Sequence, residues 1–125
     1  ADRGRWTDGR LEVLGRRDQV VITGGLNVDL AEVESVVRSW AERSGGDAVV
    51  VGVPDPEWGT KIVAVTDGAG DLADLQRTVR RALPAYAAPR ALVSVKRLPR
   101  LASGKPDRRA IRALVASGEP PGSPE

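Results

Sequence analysis

Apolar residues recur along this chain in two periods, and the switches between them mark out its elements. Thr7, Asp8, Gly9 and Arg10 form a turn signal, since an Asp-Gly pair supplies the positive φ that a tight hairpin needs. Leu11 to Leu14 then reads as a strand, and Gly15, Arg16, Arg17 and Asp18 as an exposed polar connector. Val20, Val21 and Ile22 form a second short β-branched run, followed by Thr23 to Asn27 as a loop. Asp29 with Glu32 three residues on has the form of a capping box, so a helix is predicted to begin there. Leu30, Val33, Val37 and Trp40 give that helix one apolar stripe, with Glu34, Arg38 and Glu42 directed elsewhere, and Ser44, Gly45 and Gly46 end it.

The period then changes. Ala48 to Val53 is a continuous apolar run closed by Pro54, the pattern of a strand buried on both faces. Lys61 to Thr66 reads as another strand, and Leu72, Leu75, Val79 and Leu83 as the stripe of a second helix stopped by Pro84. Ala91 to Val95 is a third core strand, Leu98 to Lys105 an aperiodic loop, and Asp107 to Val115 a helix with Ile111 and Leu114 on one side. Gly118 to Glu125, rich in Pro, Gly and Ser, reads as a frayed tail. Two small strands, helix, two strands, helix, strand, helix is the predicted order. It implies a small two-layer α+β domain: a three-stranded core sheet with flanking helices, plus an N-terminal two-stranded hairpin.

Composition narrows the chemistry. At 125 residues and 41% apolar content the chain is long enough for one core and too short for two full domains. Nineteen basic against seventeen acidic residues leave +2, too little to make nucleic acid the first expected partner. Cysteine and histidine are both absent, which removes disulfides, thiol nucleophiles, imidazole bases and every Cys/His zinc site. No apolar run approaches the roughly 20 residues that span a bilayer, and the polar start is unlike a secretory signal, so a cytoplasmic location is expected. The chain opens at Ala1 and reads at once as mid-domain sequence, as a fragment would.

Among candidate groups Lys105 stands out, because only three of the nineteen cations are lysines. A lysine brings a compact ammonium on a flexible stem, which arginine's planar fork does not replace, and Gly104 beside it permits unusual backbone geometry. Alone, Ser103-Gly104-Lys105 reads as a solvated loop lysine; Pro99 and Pro106 stand where a phosphate-binding loop would need glycine and a hydroxyl. Gly24 and Gly25 ahead of a helix form a tight turn or let another molecule pass close to the backbone, while Asp29 at the cap argues against an anion there. Trp6, Trp40 and Trp58 read as core or edge packing.

Four blocks nevertheless stand in the order found in the C-terminal domain of the adenylate-forming superfamily, which includes acyl-CoA synthetases, peptide-synthetase adenylation domains and luciferases. Asp2-Arg3-Gly4-Arg5 resembles the end of the Thr-Gly-Asp motif, with Ala1 where the family has glycine. Gly15-Arg16-Arg17-Asp18 is similar to the hinge motif. Thr23 to Val28 followed by Glu32-Val33-Glu34 resembles the loop and helix that face the active site in the second half-reaction. Leu98 to Asp107 resembles the motif that carries the catalytic lysine.

The resemblance implies a division into 1–17, the end of an N-terminal domain and a hairpin leading to the hinge; 18–116, the mobile C-terminal domain; and 117–125, a flexible tail. It implies a carboxylic acid–CoA ligase that forms an acyl-adenylate from acid and ATP and then a thioester, releasing AMP. The catalytic residue would be Lys105; Asp2, Arg16 and Lys105 would contact ATP or AMP; Asp18 would be the hinge; and Gly24, Gly25 and Leu26 would line the pantetheine passage. ATP with Mg2+ would be bound mainly by the N-terminal domain of the same enzyme, with coenzyme A as co-substrate, no resident metal in this domain, and no nucleic-acid or membrane partner. This domain alone would be inactive. Within the family the Arg-rich chain looks most like bacterial acyl-CoA ligases such as the o-succinylbenzoate ligase of menaquinone synthesis. Two other readings stay open: an adenylation domain loading a carrier protein, and a non-enzymatic RNA-binding module using Arg100, Lys105, Arg108, Arg109 and Arg112.

Overall fold

A computed structural model describes residues 20–117. The predicted strand Leu11 to Leu14, the turn before it, the Gly15 to Asp18 connector and the Gly118 to Glu125 tail lie outside the described residues. Within them the chain is a small α+β domain with three helices, a two-stranded antiparallel sheet and a three-stranded mixed sheet.

β1 (Val20–Thr23) and β2 (Leu26–Asp29) form an antiparallel hairpin in which Val21 faces Val28 and Thr23 faces Leu26. The stretch Thr23 to Asn27, expected to be a loop, is therefore mostly strand. Its turn is only Gly24 and Gly25, with φ of 59° and 82°, and two consecutive positive φ values make the primed turn that joins twisted strands in two residues. Gly-Gly allows this turn as readily as Asn-Gly does, but it was obscured by the four-residue length of each strand.

α1 (Leu30–Glu42) starts where the Asp29 carboxylate accepts the Ala31 N–H at 2.9 Å. Leu30, Val33, Val37 and Trp40 are buried along one stripe, as their spacing predicts. Glu34 departs from expectation: it is buried as well, at 9% exposure, because it flanks that stripe beside the sheet edge.

β3 (Ala48–Asp55) and β4 (Gly59–Thr66) pair antiparallel, and β4 pairs in parallel with β5 (Ala91–Ser94) across the crossover helix α2 (Leu72–Ala82). Pro54 sits inside β3 instead of ending it, which is possible because β3 is an edge strand in the order β3-β4-β5. Leu83, extended ahead of Pro84, closes α2. α3 (Arg108–Ser117) is the last element among the described residues.

Because β3 and β4 alternate faces, they serve two cores. Ala48, Val50, Ile62 and Ala64 pack under α1 and α2 with Leu75 and Val79; Val49, Val51, Val63 and Val65 pack with Leu98 and Ile111 of the α3 side. Trp40 Nε1 donates to Asp74 Oδ2 at 2.8 Å, strapping α1 to α2 and giving the indole the polar partner that its burial demands.

Candidate functional site

Lys105 lies on a tight loop between the second core and α3. Leu98 is anchored in that core at 2% exposure, and the chain turns back on itself so that Arg100 bridges Pro106. The Leu101 N–H donates to the Lys105 carbonyl at 2.8 Å, the Gly104 N–H to the Leu101 carbonyl at 2.9 Å, and the Asp107 N–H to the Pro99 carbonyl at 2.9 Å. Gly104 takes φ of 93° at the tip, a conformation closed to most side chains. The loop backbone is thus fixed by its own hydrogen bonds while the Lys105 side chain stays exposed. It lines an open groove of about 750 Å³ with Arg38, Leu101, Arg108 and Arg109.

Two carboxylates tie this loop to the rest of the domain. Arg100 donates one nitrogen to the Gly104 carbonyl at 3.0 Å and another to Asp47 Oδ2 at 3.2 Å. Asp47, just ahead of β3, also receives Arg38 at 3.0 Å and the Ala48 N–H at 2.8 Å. Burial pushes the Asp47 carboxyl up, but the Ala48 N–H, Arg100 and Arg38 together outweigh that and leave it below the usual carboxylate range. On the other flank Arg108 grips Glu34 with both nitrogens, at 2.6 and 2.5 Å, a bidentate fork. Glu34 Oε1 also accepts the Val50 N–H at 2.8 Å. The hydrogen bonds that Glu34 accepts hold the Arg108 guanidinium above its ordinary value despite partial burial.

The glycine hairpin stands elsewhere. The Gly24 N–H donates to the Trp58 carbonyl at 2.9 Å, and a Cβ on Gly24 would lie 3.0 Å from the Trp58 ring. The same ring carries the Arg90 guanidinium 3.6 Å from its centroid, a cation–π contact. A Cβ on Gly25 would meet nothing within 4 Å, and Leu26 beside it is 45% exposed. Trp58 sits in the β3–β4 turn, at the far end of β3 from Asp47. β3 has eight residues. At about 3.3 Å per residue β3 is roughly 25 Å long, and the Lys105 loop and the Gly24–Gly25 turn are tied to residues at its opposite ends.

Of the predicted site residues, Lys105 and the trio Gly24, Gly25 and Leu26 are placed on two separate loops, while Asp2, Arg16 and Asp18 lie outside the described residues. Asp47 was missed, and the pairing of Glu34, quoted only within the motif that follows the glycine turn, with Arg108, named only for RNA binding, was not foreseen. The Glu34 signal was its position one residue past the apolar Val33, on the flank of the stripe. Among the described residues no cluster of three or more carboxylates is placed to hold a metal ion, so none is assigned to one. No helix among them is long and apolar enough to cross a membrane.

The chain is similar to parts of larger known proteins. The chain is 36% identical over 111 residues to surfactin synthase subunit 2 of Bacillus subtilis, across 88% of this chain and 3% of that protein. It is 35% identical over 123 residues to a medium/long-chain fatty-acid–CoA ligase of Mycobacterium tuberculosis, across 90% of this chain and 21% of that protein. The structure of an acyl-CoA synthetase of Brucella canis superposes with a TM-score of 0.71 at 32% identity, over 84% of this chain and 20% of that one. The chain spans a small part of each relative. The family described as the AMP-binding enzyme C-terminal domain matches residues 32–105, more than half of the chain, and the chain belongs to that family.

Proposed function

We propose that this chain is the C-terminal domain of an ATP-dependent carboxylic acid–CoA ligase, supplying Lys105 to one half-reaction and the Gly24–Gly25 turn to the other. The observation that carries the reading is the contrast at Lys105: a backbone pinned by internal hydrogen bonds and arginine–carboxylate ties bears an exposed, flexible cationic side chain. A reaching point charge on a fixed base suits the stabilisation of charge that develops during a reaction.

In the first step a carboxylate oxygen attacks the α-phosphorus of ATP. The new oxygen–phosphorus bond forms as the bond to the β-phosphate oxygen breaks, and pyrophosphate leaves. The Lys105 ammonium would neutralise negative charge shared between the carboxylate and the α-phosphoryl oxygens. In the second step the thiol sulfur attacks the acyl carbonyl and AMP departs. The open space above Gly25 would give a thin thiol arm room to reach that carbonyl. ATP, with its magnesium, and the acid would be held mainly by an N-terminal domain, which would also choose the acid.

Similarity to surfactin synthase favours a second reading, in which the thiol is the phosphopantetheine of a carrier protein. The RNA-binding reading is weakened because Arg100 and Arg108, two of its five cations, are engaged by Asp47 and Glu34.

The test is to supply the full protein with ATP and a panel of carboxylic acids, follow pyrophosphate and AMP release, and then offer CoA or a loaded carrier domain. Acid-dependent pyrophosphate release followed by acyl-CoA formation supports the CoA ligase. Transfer to carrier alone moves the reading to the second, and no acid-dependent release with any acid overturns both.

A further inference from the structure

Glu34 is an expensive residue where it stands. It is 9% exposed on α1, beside an apolar stripe, and its carboxylate has left water for three protein donors: the Val50 N–H and two nitrogens of Arg108. A pair between a nearly buried carboxylate and a partly buried arginine is weak evidence of stability, since apolar residues of similar volume often stabilise as well or better. What such a pair supplies is a fixed position, and the position fixed here is that of the segment just after Lys105. Arg108 is three residues beyond the lysine and opens α3. One residue earlier, Asp107 closes the base of the loop through its N–H to Pro99 and caps the helix by accepting the Ala110 N–H at 3.1 Å. Anchoring Arg108 therefore anchors the loop's base.

We propose that Glu34 is a positioning residue for Lys105, acting through the Arg108 guanidinium to register the lysine loop against α1 and the free edge of β3. The proposal rests on the reading that Lys105 acts in adenylate formation. The tie on the other flank does not duplicate it: Arg100 meets Asp47 through one nitrogen at 3.2 Å, whereas Glu34 holds Arg108 in a planar two-point fork that fixes orientation as well as distance. The Val50 N–H bonded to the same carboxylate links the loop to the sheet, so the lysine's base is referenced to β3 as well as to α1.

The experiment compares Glu34→Gln, Lys105→Ala and the double variant in the full enzyme, in two assays: acid-dependent exchange of pyrophosphate into ATP, and thioester formation from preformed acyl-adenylate. Glutamine keeps the shape and one acceptor oxygen but can turn N–H donors toward the guanidinium. Glu34→Gln should lower the exchange rate about 10- to 100-fold, the scale of a misplacement of about 1 Å, and leave thioester formation within about twofold. In the Lys105→Ala background it should lower exchange no further, because a residue that acts through the lysine has nothing left to position. Unchanged exchange, equal loss in both assays, or effects that multiply in the double variant would each overturn the proposal. If Glu34→Gln does not fold, Arg108→Lys, which keeps the charge and loses the fork, is judged by the same criteria. Exchange that survives Lys105→Ala refutes the reading of Lys105 and the proposal with it; exchange that survives only Glu34→Gln refutes the proposal alone.

Discussion

At the scale of single residues, the domain uses charge to fix the backbone on either side of Lys105 and leaves the Lys105 side chain exposed. Asp47 illustrates the first part. Its carboxyl titrates below the ordinary value of 3.8 because the Ala48 N–H and two arginines outweigh its burial. A carboxylate depressed in the folded state contributes stability that is present above its unfolded pKa and is lost as pH falls through its folded value. Thermal stability of the folded protein is therefore expected to fall on acidification below about pH 4. Asp47→Asn should flatten that part of the profile in a series of melts at graded pH, and an unaltered acid limb would show that the pair contributes nothing. Lys105 was singled out in the sequence by the rarity of lysine and by Gly104 before it, and its proposed role came only from the resemblance of Leu98 to Asp107 to a known motif. The ties of its loop were not foreseen, because Glu34 and Asp47 reach Arg108 and Arg100 over 74 and 53 residues of chain, and no local period encodes such pairs.

Elements divide between those that patterning specifies and those that tertiary contact decides. The stripes of α1 and α2 and the apolar run of β3 were readable because burial imposes a period, and the core they form is sensitive to volume. Leu75, fully buried, is expected to cost about 2 to 5 kcal/mol when changed to Ala, seen as a lowered urea midpoint. The β1–β2 hairpin was only half readable, since its second strand carries just Leu26 and Val28 as apolar residues and pairs with a partner only four residues long. Its turn yields a sharper prediction. Gly24→Ala and Gly25→Ala both place a Cβ at positive φ, at about 1 to 2 kcal/mol each. Gly24→Ala should cost more in equilibrium unfolding, because its Cβ also meets the Trp58 ring at 3.0 Å whereas Gly25 faces open space. Equal costs would mean that the ring yields freely. If the turn serves the thiol step, Gly25→Leu in the full enzyme should slow thioester formation about tenfold or more while adenylation stays within about twofold.

At the scale of the whole molecule, β3 connects the two loops of the candidate site. Its first residue adjoins Asp47 and the Lys105 loop; its last adjoins the turn that carries Trp58 and seats the glycine hairpin. On the proposed roles, two loops at opposite ends of one strand would serve one reacting carbonyl only through a change of orientation, and α1 links them, following the hairpin directly and holding Arg108 through Glu34. A body built this way suits presentation of one end and then the other to a partner domain. The most direct test of that claim is the Lys105→Ala variant of the full enzyme, assayed for acyl-adenylate formation from acid and ATP and for thioester formation from preformed acyl-adenylate. Adenylate formation should fall by about a hundredfold or more, with thioester formation within about twofold of the unaltered enzyme. Equal losses in the two half-reactions would contradict the claim.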